Sequence, residues 1–140
     1  MVSSCLRAYC PTLGVVGAMA NRLIELHDSH VLDLADDGDD VVIAVSAYVH
    51  ESEGRPGIDV GKGWTQPVRI TVFEGRVVRR HEGDRLWIID GVISVGDETF
   101  DNMMPTDVLA HADVKLVLSG AEGVLDVVGV GVRVEVTERL

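Results

Sequence analysis

Short apolar runs, most of them alternating with polar residues and separated by glycine-bearing corners, fill nearly the whole chain after residue 20. A period of two puts every second side chain on one face, so runs of this kind predict strands rather than helices. Residues 23–26 and 31–34 lead through the acidic turn Asp36-Asp37-Gly38-Asp39-Asp40 into residues 41–49, which reads as a first hairpin. Pairing Ala35 with Asp40 would set Leu34 and Leu32 against Val41 and Ile43, His27 against Tyr48, and Glu25 against His50. Three tight corners follow: Glu74-Gly75 between residues 68–73 and 76–81, Asp90-Gly91 between 86–89 and 92–95, and Gly96-Asp97 before 98–101. Asp-Gly between apolar runs is a strong hairpin signal, because a type I′ turn needs positive φ at both central positions. The last pairing places Phe100 opposite Ile93.

Two stretches break this economy. HESEGRPGIDVGKGWTQP, residues 50–67, is too polar and glycine-rich to read as a strand, and predicts a long functional loop. NMMPTDVLAHAD, residues 102–113, reads as irregular, with Thr106 capping a short helical turn. The final hairpin joins residues 114–119 to VLDVVGVGVRVEV across Gly120-Ala121-Glu122-Gly123. Within that last run Val130, Val132, Val134 and Val136 alternate with Gly131, Arg133 and Glu135, one buried face and one wet. About nine strands and no convincing helix predict an all-β protein, either an antiparallel β-sandwich or a jelly-roll-like barrel.

The composition agrees with strands: 46% of residues are apolar but only 4% aromatic, so the core is aliphatic and valine supplies most of it. At 140 residues the chain forms one domain, read as residues 19–140 behind a poorly ordered extension, residues 1–18. That extension holds both cysteines, Cys5 and Cys10, which lack a second pair or a nearby histidine for a zinc site. A secretory signal fits it weakly, since Pro11 and two glycines shorten the apolar part. Met19 as the natural start fits better. No run approaches the ~20 apolar residues of a membrane span. Net charge is −11, from 23 acidic and 12 basic residues, with no basic cluster to displace counterions from phosphate. Nucleic acid and anionic membranes are therefore excluded as partners, and a basic protein surface is favoured. Ten of the 12 basic residues are arginine, and with the Ala, Gly, Val and Asp content this suggests a bacterial, cytoplasmic protein.

His27-Asp28-Ser29 contains three triad residue types, but consecutive residues of an extended chain point to opposite faces and cannot converge. A side-chain-to-backbone turn leading into the first strand explains them better. Gly61-Lys62-Gly63 is no phosphate loop, because Lys62 is followed by Gly63 and Trp64 rather than by Ser or Thr opening a helix. Gly129 and Gly131 belong to no dinucleotide fingerprint and are expected to make room for a bulky neighbour on the next strand. The acidic turn lacks the spaced ligands of a calcium loop. His27, His50 and Glu25 are the set that a metal-dependent reading would use; no metal or cofactor is assigned.

The run ELHDSHVLDL, with Leu26, His27, Asp28 and Ser29 ahead of a branched or leucine position, resembles the start of families of small bacterial β-rich proteins. Some of these are grouped with the immunity proteins of toxin systems, and the resemblance implies binding of a protein partner. It covers about a tenth of the chain. The sequence thus leads to a non-enzymatic binding module using His27, Asp28, Tyr48, His50, Glu53, Arg55 and Trp64. Arg and Trp are types that concentrate binding energy. The alternatives are a jelly-roll-type metal-dependent enzyme or small-molecule binder, and a domain that pairs its sheet edge with a second copy.

Overall fold

The computed structural model describes residues 21–36, 38–54, 58 and 60–137; the expected extension with Cys5 and Cys10, and also Asp37 and Arg55, lie outside them. The described chain is all-β. In order it forms β1 (Asn21–Asp36), β2 (Val41–Ser52), β3 (Gly61–Phe73), β4 (Arg76–Arg79), β5 (Leu86–Trp87) and β6 (Asp90–Val95). There follow β7 (Glu98–Asp101), β8 (Met103–Pro105), β9 (Val108–Ala110), β10 (Val114–Gly120), β11 (Gly123–Gly129) and β12 (Gly131–Val136). Every pairing is antiparallel. The larger sheet runs β5-β1-β2-β3-β12-β9, with β8 also on β1, and the smaller runs β4-β11-β10-β6-β7; neither closes into a barrel. The described residues form twelve strands where about nine were expected, because residues 102–113 contribute β8 and β9 rather than a helical turn, and the terminal run divides in two.

One continuous core holds both sheets together. Ile24, Leu26, Ile43, Ile70 and Val134 of the larger sheet cluster with Ile93, Leu116, Leu118 and Leu125 of the smaller, all fully buried. Each is an alternate position of its strand, which leaves the intervening residues on the outer faces. Valine, isoleucine and leucine carry this core, as the scarcity of aromatic residues requires.

Three local expectations are corrected. The polar stretch 50–67 is mostly strand: β2 and β3 pair continuously from Val41↔Val72 to Ser52↔Gly61, which leaves only residues 53–60 as the connection. The glycines misled here. Gly61 and Gly63 sit within a strand because a side chain would collide with the Glu51 carbonyl at the first and the Tyr48 ring at the second. Second, Glu74-Gly75 and Asp90-Gly91 are not hairpin turns. β3 and β4 lie in different sheets, and so do β5 and β6; both corners carry the chain from one layer to the other. Third, Val130 stands 46% exposed at the crossover from β11 to β12, whereas Val132 and Val134 are buried as the alternation predicts. The Gly96-Asp97 hairpin matches in full, with Ile93↔Phe100 and Ser94↔Thr99 opposite one another. Gly129 and Gly131 are crowded by Val72 and Phe73, the bulky neighbours the sequence called for. Among the described residues no helix is long and apolar enough to cross a membrane.

Candidate binding cleft

The residues that bear chemistry gather on the outer face of the larger sheet, where an irregular β1 crosses a regular β2. Ser46, Tyr48 and His50 alternate with the fully buried Val45, Ala47 and Val49, so all three project outward. Opposite them β1 pairs Glu25↔Tyr48 and Leu23↔His50, then slips before resuming at His30↔Ser46. The slip is a bulge at residues 26–29, with Asp28 in the left-handed region at φ 65°. The register already departs from expectation at the turn, where Ala35 pairs with Val42 rather than Asp40, and the bulge shifts it again. His27 and Glu25 therefore do not stand directly opposite Tyr48 and His50, although the Glu25 and His50 side chains still meet.

The bulge is fastened on its far side. Leu26 N–H donates to the Asn102 carbonyl at 2.6 Å and Asp28 N–H to the Ile88 carbonyl at 2.9 Å. Ile88 N–H donates in return to the Ser29 carbonyl at 2.7 Å. Ser29 is buried and its hydroxyl donates to the Glu25 carbonyl. The three triad types do not converge. At the bulge His27 and Asp28 share the cleft side, 3.6 Å apart, against the alternation expected of an extended strand, while Ser29 is buried as a structural hydroxyl of the bulge.

Beside the bulge, β5 lays its two residues along β1, pairing Trp87 with His30. The two rings stack with centroids 5.3 Å apart and planes 5° from parallel. On the other side Tyr48 lies over Gly63 and meets the His50 ring edge-on at a centroid distance of 4.7 Å. His50 Nε2 and Glu25 Oε1 are 2.9 Å apart. The result is an open cleft of about 510 Å³ lined by Glu25, His27, Asp28, His30, Ser46, Tyr48, Thr65 and Trp87. Its walls are Trp87, 52% exposed, and Tyr48, 41% exposed. Its charges are the carboxylates of Glu25 and Asp28, the latter 3.6 Å from His27 Nε2. Among the described residues no lysine or arginine lines it.

Of the residues singled out in the sequence, His27, Asp28 and Tyr48 line the cleft, and His50 stands behind it as the partner of Glu25. Trp64 does not. It pairs with buried Val49 and so occupies the inward face near the hairpin end, its indole N–H donating to Gln66 Oε1 and the Arg22 guanidinium 5.8 Å from its ring centre. On that same face Glu51 receives Arg22 Nε at 2.7 Å and Lys62 Nζ at 3.4 Å. The Arg22 hydrogen bond holds the Glu51 carboxyl below its usual value, against the opposing effect of burial. Glu53 is exposed in the β2–β3 connection, away from the residues that line the cleft, and Arg55 lies outside the described residues.

His30, Ser46, Thr65 and Trp87 were not singled out. Ser46 and Thr65 follow once β2 and β3 are known to pair, since Thr65 stands opposite Tyr48. Trp87 arrives from a strand more than fifty residues away along the chain, and no local pattern announces it. Among the described residues no three His, Cys, Asp or Glu side chains converge as a metal site would need. No protein-family model, no curated protein and no solved structure matches this chain.

Proposed function

We propose that the protein is a non-enzymatic binding module of the bacterial cytoplasm, a β-sandwich whose outer β1–β2–β3 face and Trp87 wall receive a protein partner. The observation that carries this reading is the exposure of two large aromatic rings around one concavity. Tyr and Trp supply wide, rigid contact area with little rotamer freedom to lose, and so concentrate interface energy. The rings are also held in place before any ligand arrives, Trp87 against His30 and Tyr48 over Gly63 against His50. Such preorganisation lowers the entropic cost of association. The likeness of the Leu26-His27-Asp28-Ser29 run to proteins grouped with toxin immunity proteins favours a protein as the partner, and the net charge of −11 favours a basic one.

A photo-crosslinking amino acid at position 48 tests the reading in cells. It should trap one protein, and added unlabelled native protein should compete, whereas the Tyr48→Ala/Trp87→Ala variant should not. Equal competition by the native protein and the double variant would sink the proposal.

One observation favours a second reading, an enzyme or metal-dependent small-molecule binder of jelly-roll type. The His50–Glu25 pair beside an open cleft has the geometry of a base held by an orienting carboxylate. Elemental analysis of untagged protein separates the two: a stoichiometric metal lost in His50→Ala supports the second reading, and metal-free protein removes its metal-dependent form.

A further inference from the structure

Resting on the binding reading above, we infer that the cleft is built for a cationic side chain, the guanidinium of an arginine on the partner's surface.

The lining itself selects the charge. Two carboxylates, Glu25 and Asp28, face the same concavity, and among the described residues no lysine or arginine lines it to neutralise them. Glu25 spends Oε1 on His50, and among the described residues no hydrogen bond engages Oε2. The Asp28 carboxylate is 68% exposed beside the cleft, with His27 Nε2 no nearer than 3.6 Å. An anion entering here would meet both carboxylates without a fixed positive charge to hold it.

The walls select the shape. Trp87, with one face stacked on His30, and Tyr48, lying over Gly63, both remain partly exposed at the cleft. The negative quadrupole of an aromatic face attracts a cation placed over it, and indole is the strongest of the natural rings in this respect. A guanidinium is planar, weakly hydrated, and carries five N–H donors in a fork that matches a carboxylate; it stacks on an aromatic face while donating in its own plane. An ammonium would be drawn to the same rings, but it can neither lie flat on them nor fork to a carboxylate. Ser46 and Thr65, which also line the cleft, carry hydroxyls that can accept from donors the carboxylates leave over. The bulge at residues 26–29 creates this arrangement, because it moves Asp28 out of the regular pleat and onto the side where Glu25 already projects.

The probe is a tripeptide, glycine-arginine-glycine, blocked at both ends, compared with its citrulline counterpart, which has nearly the same shape and no charge. Binding is followed by the Trp87 indole N–H resonance, with Trp64 on the inward face as internal control. The arginine peptide should shift Trp87 saturably and leave Trp64 still, and citrulline should do neither. Glu25→Gln should weaken the arginine peptide about ten- to a hundred-fold, the range expected for loss of a charge-assisted hydrogen bond. Asp28→Asn, which tolerates the left-handed backbone, should weaken it in the same direction, while Glu135→Gln, paired with Arg69 away from the cleft, should not. Equal shifts from both peptides would overturn the cationic assignment and leave the binding reading intact. No shift from either peptide also overturns it. The crosslink from position 48, which does not depend on the probe's charge, decides the binding reading separately.

Discussion

Glu25 Oε1 lies 2.9 Å from His50 Nε2, although across the strands Glu25 stands opposite Tyr48 and His50 opposite Leu23. The contact is diagonal, one step along the outer face, at the range where long side chains of neighbouring strands still meet. A double-mutant cycle on Glu25→Gln and His50→Gln should return a coupling of about 0.5 kcal/mol, reduced by salt, because both side chains keep partial solvent access. Urea denaturation of the four proteins measures it.

His81 offers a sharper test of pH dependence. It is 5% exposed, both ring nitrogens are without a hydrogen-bond partner among the described residues, and burial, reinforced by Arg80 and opposed by Glu122, lowers its pKa from the ordinary 6.5. The unfolded chain therefore takes up this proton at a higher pH than the folded one. The neutral ring's contribution is complete above 6.5 and is lost as pH falls through the lowered value. Denaturation midpoints across that window should fall on acidification in the native protein and less steeply in His81→Leu. At neutral pH His81→Leu should be neutral or stabilising by up to about 1 kcal/mol, since it removes buried polar atoms that have no partner.

Glu51 titrates lower. With its carboxyl held below 4.5, chiefly by the Arg22 hydrogen bond, its contribution is present above 4.5 and disappears as pH drops beneath it. Glu51→Gln should cost about 0.5–1 kcal/mol at neutral pH and almost nothing in strong acid or high salt. Thermal melts in the two buffers suffice to check this.

Two glycine substitutions should part company. At Gly63 an added methyl would run into the Tyr48 ring, an exposed side chain that can swing away. Gly63→Ala should therefore keep its melting temperature within the effect of less than about 1 kcal/mol, yet lift Tyr48 off His50 and weaken partner binding. At Gly120 the methyl would meet the backbone carbonyl of Trp87, which cannot rotate out of the way. Gly120→Ala should lose about 1–3 kcal/mol and disturb β5 with it. Melting curves and the Trp87 indole resonance report both effects.

The contrast between two glycines also explains what was legible in the sequence. Gly96 takes φ 59° in a true turn, and the hairpin around it was read with the right partners. Gly91 looked identical beside Asp90 but serves a different need: a side chain there would press on Leu26 and Leu118, so the glycine lets the two sheets approach. Composition near a glycine does not distinguish positive φ from close approach. That ambiguity turned two layer-changing corners into hairpins. Alternation, which is local, sets Tyr48 and His50 outward. The all-β character, the core side of β2 and the Val132 and Val134 face of β12 were carried by it. The register of β1 was not, because the bulge at residues 26–29 is fixed by backbone hydrogen bonds to Ile88 and Asn102, distant in sequence. Trp87 was missed for the same reason.

β5 is tied to both layers at once. Trp87 pairs with His30 of the larger sheet, while its N–H donates to Glu122 Oε1 and Ile89 N–H to the Ser119 carbonyl of the smaller. The aromatic wall is therefore a rivet through the seam, in place only once both halves have closed on one another. A guest gripping that wall strengthens the joint in proportion to its affinity, and a partly assembled molecule, with the rivet unset, has nothing to grip it with.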